Sequence, residues 1–254
     1  MEAKRIVLIT GANRGLGLKL AEVLAEKYSL ILTARKQDEL EKTKQNLEKN
    51  FQNLEIKTHL LDVSSKESVR KLKDWLVSQH LKIDVLVNNA GVNQDPRKII
   101  DINLIGTIDV TEQLLSTLKD DGKVILISSI LGKLENQPQD LKETLLKKKT
   151  KEEIIQLSEE FILKNQEYLT VYSASKALLN AYGRYVLSGI VKPNQSIYCI
   201  HPGWIKTEMG GPQAPGTLDE GVVTSQFLIK DLPFKRDEKY HGKYINDKAQ
   251  VEDY

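Results

Sequence analysis

The chain has 254 residues, 40% of them hydrophobic, and a formal net charge of +2. That length suits one α/β domain with a sizeable core, and the charge balance excludes nucleic acid or an acidic membrane surface as the main partner. A lone Cys199 excludes an intramolecular disulfide, no apolar run reaches a membrane span, and Met1 to Arg5 leave no room for a secretory leader, so a soluble cytosolic protein is expected.

Ile6-Val7-Leu8-Ile9 is short and apolar throughout, as a strand covered on both faces reads. It runs into Thr10-Gly11-Ala12-Asn13-Arg14-Gly15-Leu16-Gly17, and an amphipathic helix follows with Leu16, Leu20, Val23 and Leu24 on one face. Strand, glycine turn and helix together suit a pyrophosphate. The glycines let backbone N–H groups approach it, and the helix N-terminus adds a favourable dipole. A plain tight turn is the bland alternative. The spacing T-G-x-x-x-G-x-G resembles that of the short-chain dehydrogenase/reductase family, and the later motifs add to the resemblance.

Leu30 to Arg35 reads as the second strand. An NAD site tends to close this strand with an acid for the ribose 2′-hydroxyl. Here Ala34, Arg35 and Lys36 come first, and no acid precedes Asp38. A guanidinium clamps a 2′-phosphate, and Arg14 offers a second charge on the same side, so NADP(H) is the expected cofactor. Residues 36–52 read as an exposed helix with Leu40, Leu47 and Phe51 inward. Ile56 to Leu61 reads as the third strand. Ser64 is the expected N-cap of the next helix, with Glu67 completing a capping box, and Val69, Leu72, Trp75 and Leu76 form its buried stripe. Ile83 to Val87 reads as the fourth strand. It ends in Asn88-Asn89-Ala90-Gly91, whose amides need partners if buried. Residues 92–98 make a short connection that would leave the substrate side open. Asn103 follows on a helix, and Val124 to Ser129 reads as a fifth strand ending in two hydroxyls.

Residues 132–166 separate Ser129 from Tyr172 by far more chain than a typical family member has. They read as helical, with Leu141 and Leu145 on one face and Ile154, Leu157 and Phe161 on another. The basic run Lys147 to Lys149 lacks interleaved aromatics and reads as a solvated helix end. Tyr172-Ser173-Ala174-Ser175-Lys176 sets a phenol and an ammonium one helical turn apart. A cation that close favours the phenolate, so Lys176 is expected to lower the Tyr172 pKa. Ser196 to Ile200 reads as the sixth strand and leads to His201-Pro202-Gly203-Trp204-Ile205-Lys206-Thr207. His201 is read as structural. Residues 208–217 look like a substrate loop, with Trp204 and Met209 as its cover, and Tyr240 to Ile245 as a last strand.

The family resemblance spans nearly the whole chain and rests on the order of the motifs. It implies a single domain over 1–254, of α/β class. The sheet would be Rossmann-type, doubly wound and parallel, of about seven strands with helices on both faces and a helical insert at about 132–166. It implies a catalytic group of Asn103, Ser129, Tyr172 and Lys176, with Ser128 as the alternative to Ser129 because adjacent strand residues face opposite ways. It implies cofactor contacts from Gly11, Asn13, Arg14, Gly15, Leu16, Gly17, Arg35, Asp62, Val63, Asn89, Ala90, Gly91, Tyr172, Lys176, Pro202, Gly203, Ile205 and Thr207. Asp62 would bind the adenine amino group, Thr207 the carboxamide, and Asn103 would distort its helix around a relay water. No metal is implied. Monomeric carbonyl reductases in the family carry an insert at this place, so the expectation is a monomeric, NADPH-dependent reductase of a small-molecule carbonyl. A cofactor-binding regulator without chemistry and an alcohol dehydrogenase running oxidatively are the alternatives.

Overall fold

The computed structural model describes residues 3–52 and 54–253. In chain order the elements are β1 (Ile6–Thr10), α1 (Gly15–Leu24), β2 (Ser29–Ala34), α2 (Gln37–Asn50), β3 (Glu55–Leu60), α3 (Lys66–Ser78), β4 (Ile83–Asn88) and α4 (Pro96–Ile99). Next come α5 (Thr107–Leu114), β5 (Leu118–Ile127), α6 (Gln139–Leu145), α7 (Lys151–Lys164), α8 (Tyr168–Ala181), α9 (Ser188–Ile190), β6 (Ser196–Ile200), α10 (Leu218–Gln226), β7 (Lys243–Ile245) and β8 (Val251–Glu252). π-helical turns at Ile100–Gly106, Tyr182–Leu187 and Phe227–Asp231 interrupt or extend the helices.

One sheet takes the order β3-β2-β1-β4-β5-β6-β7-β8. Its pairings are parallel through β7, and only β8 runs antiparallel, against β7. Side chains alternate across a strand, so an apolar run feeds two cores at once. Leu8, Leu86, Val124, Leu126, Ile197 and Cys199 face one layer, with Val69 and Leu72 of α3, Ile108 of α5 and Leu178 of α8. Val7, Ile9, Val85, Val87, Ile125 and Tyr198 face the other, with Leu20 and Leu24 of α1, Leu40 and Leu47 of α2 and Val222 of α10. The doubly wound α/β class expected from the sequence is therefore the observed one.

Three details depart from expectation. The strand expected last, from Tyr240, is three residues, Lys243–Ile245, and is followed by a short β8, while Tyr240 instead packs edge-on against Phe227. The α3 cap is Ser65, whose hydroxyl accepts from the Ser68 N–H. Ser64 turns back to donate to Asp62, and Glu67 pairs with Lys71, so no capping box forms. The serines after the fifth strand lie beyond its end at Ile127.

The insert is helical, as α6 and α7. Leu141, Leu145, Ile154 and Phe161 join the core shared with α8. Thr150 and Glu153 form a capping box that starts α7. Arg97 in α4 grips Glu159 in α7 through two nitrogens and also pairs with Asp101. Lys151 reaches Glu112 at 2.7 Å, so the basic run ends in an ion pair with α5.

Candidate active site

The strand order reverses between β1 and β4. Loops leaving the carboxyl ends of those two strands part to opposite faces and open a crevice. Both the glycine turn and Asn88 to Gly91 sit at this point. Thr10 Oγ1 accepts from the N–H groups of Asn89 and Ala90 at 3.0 Å each. Asn89 Nδ2 donates to the carbonyls of Thr10 and Gly11, at 2.9 and 3.0 Å. A methyl group on Gly17 would stand 2.5 Å from that amide nitrogen and 2.6 Å from Gly11 O. One on Gly11, whose φ is +64°, would meet the Ala90 backbone at 3.0 Å. The turn thus stays a bare backbone cradle, the form that close approach of a pyrophosphate requires. Asn88 is buried and donates to Thr111 Oγ1 at 3.0 Å. Gly15, also at positive φ, faces Thr207, and Leu16 packs on the Gly221 backbone of α10.

A cleft opens over the ends of β2 and β3. Arg35 and Asp62 line this cleft of about 630 Å³ with Ser65 and Ser68 at the start of α3. Asp62 Oδ1 accepts from the Ser64 N–H and hydroxyl, which fixes the carboxylate. Val63 is buried beside it. Arg14 is turned away from this cleft and pairs with Glu208 of the segment after β6. Asn13 Nδ2 donates to Glu39 Oε2 at 2.6 Å, and Lys36 Nζ to Glu39 Oε1 at 2.8 Å. No acid closes β2, as expected, but α2 carries Glu39 back onto the glycine turn. Its signal in the sequence is weak, since an acid in the first turn of a helix is ordinary.

The catalytic candidates converge at the ends of β4 and β5. Asn103 is fully buried in the π-turn and pairs twice with Val92, donating from Nδ2 to its carbonyl and accepting at Oδ1 from its N–H, both at 2.8 Å. Gly91 packs against the same amide. Ser129 begins a short 3₁₀ turn and accepts from Leu131 N–H, and its hydroxyl lies against the Tyr172 phenol. Ser128 is buried and turned to the Lys176 carbonyl, so Ser129 is the serine on the Tyr172 side. Lys176 is buried, donates from Nζ to the Ile127 carbonyl at 2.8 Å and stands 5.7 Å from the centre of the Tyr172 ring.

The expected lowering of the Tyr172 pKa is not what this environment produces. Burial pushes the phenol above its ordinary value, and the Ser129 hydroxyl offsets that only in part. Burial also brings Lys176 down to about 8. Desolvation disfavours both charged forms.

Pro202, Gly203, Ile205 and Thr207 follow the carboxyl end of β6. Gly203, at φ +81°, follows His201, which is buried and accepts from the Gly203 N–H at Nδ1. Ile205 is buried against Gly216 and Gly221, and Thr207 accepts from the Gly210 N–H. Trp204 Nε1 donates to the Gly210 carbonyl while most of its ring stays exposed. Asn93, in the short 92–98 connection, donates to the Met209 carbonyl at 3.2 Å. Tyr244, which the sequence reading did not single out, donates to the Ser129 carbonyl at 2.7 Å and stacks at a tilt on His201. No group of metal-ligating side chains occurs among the described residues.

A family model described as short chain dehydrogenase matches residues 5–139, ending as α6 begins. Carbonyl reductase (NADPH) 1 of Mus musculus is 29% identical, covering 97% of this chain and 97% of its own length. Carbonyl reductase (NADPH) 3 of Mus musculus is 30% identical, covering 96% and 97%. Among solved structures, salutaridine reductase from Papaver somniferum matches with a TM-score of 0.83 at 24% identity, over 95% of this chain and 99% of that one. Carbonyl reductase Sniffer of D. melanogaster matches with a TM-score of 0.73 at 22% identity, over 100% of both. At those identities the structures speak for the fold alone.

Proposed function

The chain belongs to the short-chain dehydrogenase/reductase family, and from that premise we propose that it is an NADP-dependent oxidoreductase that reduces a small-molecule carbonyl to an alcohol with Tyr172 as proton donor. The observation that carries the reading is the meeting of Ser129, Tyr172 and Lys176 beside a side-chain-free glycine turn. The relatives named as NADPH carbonyl reductases support the cofactor and the reaction class.

NADPH, when bound, supplies the hydride. It would rest on the cradle from Gly11 to Gly17, with Asn89, Ala90 and Gly91 beneath it. Asp62 and Val63 would meet the adenine, Arg35 the 2′-phosphate, and Pro202, Gly203, Ile205 and Thr207 the nicotinamide. Ser129 and Tyr172 hold the carbonyl oxygen with two hydroxyl donors and steady the negative charge that grows there. Tyr172 then gives its proton at the phenol oxygen. A phenol whose burial keeps it protonated at neutral pH is suited to that task. Lys176 would hold the nicotinamide ribose and, charged below about 8, would favour the phenolate left behind. Asn103 braces the π-turn, where a water could return the proton.

Loss of NADPH absorbance against a panel of aldehydes, ketones and quinones tests the reading. Tyr172→Phe should lower kcat by about 10²–10⁴-fold while NADPH still binds. An unchanged rate in that variant would remove Tyr172 from the mechanism. A single sheet that takes in every strand among the described residues supports one domain over 1–254. The insert helix α7 packed on α8 supports a monomer, because it covers the face on which many relatives pair. A sedimentation mass of two chains at micromolar protein would sink that part. Among the described residues no helix is long and apolar enough to cross a membrane, and the unpaired, buried Cys199 fits a reducing compartment such as the cytosol.

A further inference from the structure

Glu39 stands in the first turn of α2, and the fold lays it against the cofactor cradle. Its two carboxylate oxygens are both engaged, one by Asn13 of the glycine turn and the other by Lys36 next to Arg35. Asn13 and Lys36 flank Arg35, and on the NADP(H) reading above they are groups that a phosphate on the adenosine ribose would meet. Of the cations nearby, Lys36 is held by Glu39, and Arg14 is turned away to Glu208. Arg35 is exposed and makes no ion pair with a described residue.

We propose that Glu39 is a specificity-determining residue of the cofactor site, an internal anion that occupies Asn13 and Lys36 and weakens the preference for a 2′-phosphorylated dinucleotide. The proposal rests on the NADP(H) reading above. A 2′-phosphate brings close to two negative charges into this corner. The carboxylate then either swings away and gives up both hydrogen bonds, or stays and repels. A 2′-hydroxyl meets neither cost, since it is neutral and can donate as readily to a glutamine oxygen as to the carboxylate. Neutralising Glu39 therefore acts on one cofactor form and not on the other. The site is largely solvated, which limits the effect to roughly three- to tenfold in affinity.

Calorimetric binding of NADPH and of NADH, without any carbonyl substrate, tests this in the wild type, Glu39→Gln and Arg35→Ala. Glutamine keeps the size and an acceptor oxygen, and matching thermal melts establish that the fold is kept. Glu39→Gln should tighten NADPH by about three- to tenfold and leave NADH within about twofold. Arg35→Ala should weaken NADPH alone. If Arg35→Ala behaves so but Glu39→Gln weakens NADPH, leaves it unchanged or shifts both cofactors equally, the proposal is overturned and the cofactor reading stands. If the wild type prefers NADH, or binds neither dinucleotide, and Arg35→Ala changes nothing, the cofactor reading fails and the proposal with it.

Discussion

Tyr172 and Lys176 sit one helical turn apart, and burial moves their pKa values in opposite directions, the phenol up and the ammonium down. Each shift favours the neutral form. Lys176 is charged below about 8 and neutral above it, so whatever needs its charge is in place at neutral pH and is lost as pH rises through that value. NADPH affinity of the free protein should accordingly fall between about pH 7 and 9, and a titration of Lys176→Met should lose that dependence. At the glycine turn sterics decide. Gly17→Ala would drive a methyl into Asn89 Nδ2 and Gly11 O. We expect it to cost about 1–3 kcal/mol in a denaturant melt and to weaken dinucleotide binding, because the Asn89 amide would be displaced from both carbonyls.

At the scale of elements, the π-turn at Ile100–Gly106 follows from how closely two segments approach. Gly106 lies so near the end of β3 that a methyl there would stand 2.5 Å from the Val63 carbonyl oxygen. Gly106→Ala should therefore destabilise by about 1–3 kcal/mol and disturb Asn103, read as a lower melting temperature together with lower kcat. The insert is a second case. Ile154 is fully buried where α7 meets the rest of the core. Ile154→Ala should cost about 2–5 kcal/mol by the cavity it leaves, whereas Arg97→Ala, in a half-exposed ion-pair network, should cost about 1 kcal/mol or less. The helical faces of the insert were legible from apolar spacing. The salt bridge from Arg97 to Glu159 was not, since charged residues on an amphipathic helix are too common to assign a partner across 62 positions.

At the scale of the whole molecule, two lysines are buried among the described residues. Lys123 donates to the carbonyls of Leu228 and Leu232 at 2.6 and 2.8 Å, and burial holds it, like Lys176, at about 8. An unfolded lysine keeps its proton up to 10.5, so above about 8 the unfolded chain binds more protons than the folded one. Stability should then rise with pH from about 7 towards 9, as followed by denaturant midpoints. Above that the trend should reverse. The Cys199 thiol, pushed up to about 12, and the buried tyrosines keep protons that the unfolded chain releases.

The sequence by itself determined the layered α/β architecture, because continuous apolar strands alternating with amphipathic helices admit few other arrangements. It also determined where the glycine turn, the paired asparagines, the two serines and the Tyr172 to Lys176 turn stand in chain order, since each is a local pattern. What needed the tertiary structure was every relation between distant segments. Only there does Ser129 and not Ser128 face Tyr172, Arg14 meet Glu208, Glu39 reach Asn13, and Tyr244 support the Ser129 carbonyl. The Tyr172 pKa belongs to the same class. Its neighbour in the helix predicted a fall, but desolvation comes from residues packed around it from the whole chain, and that sum is not written in any one stretch.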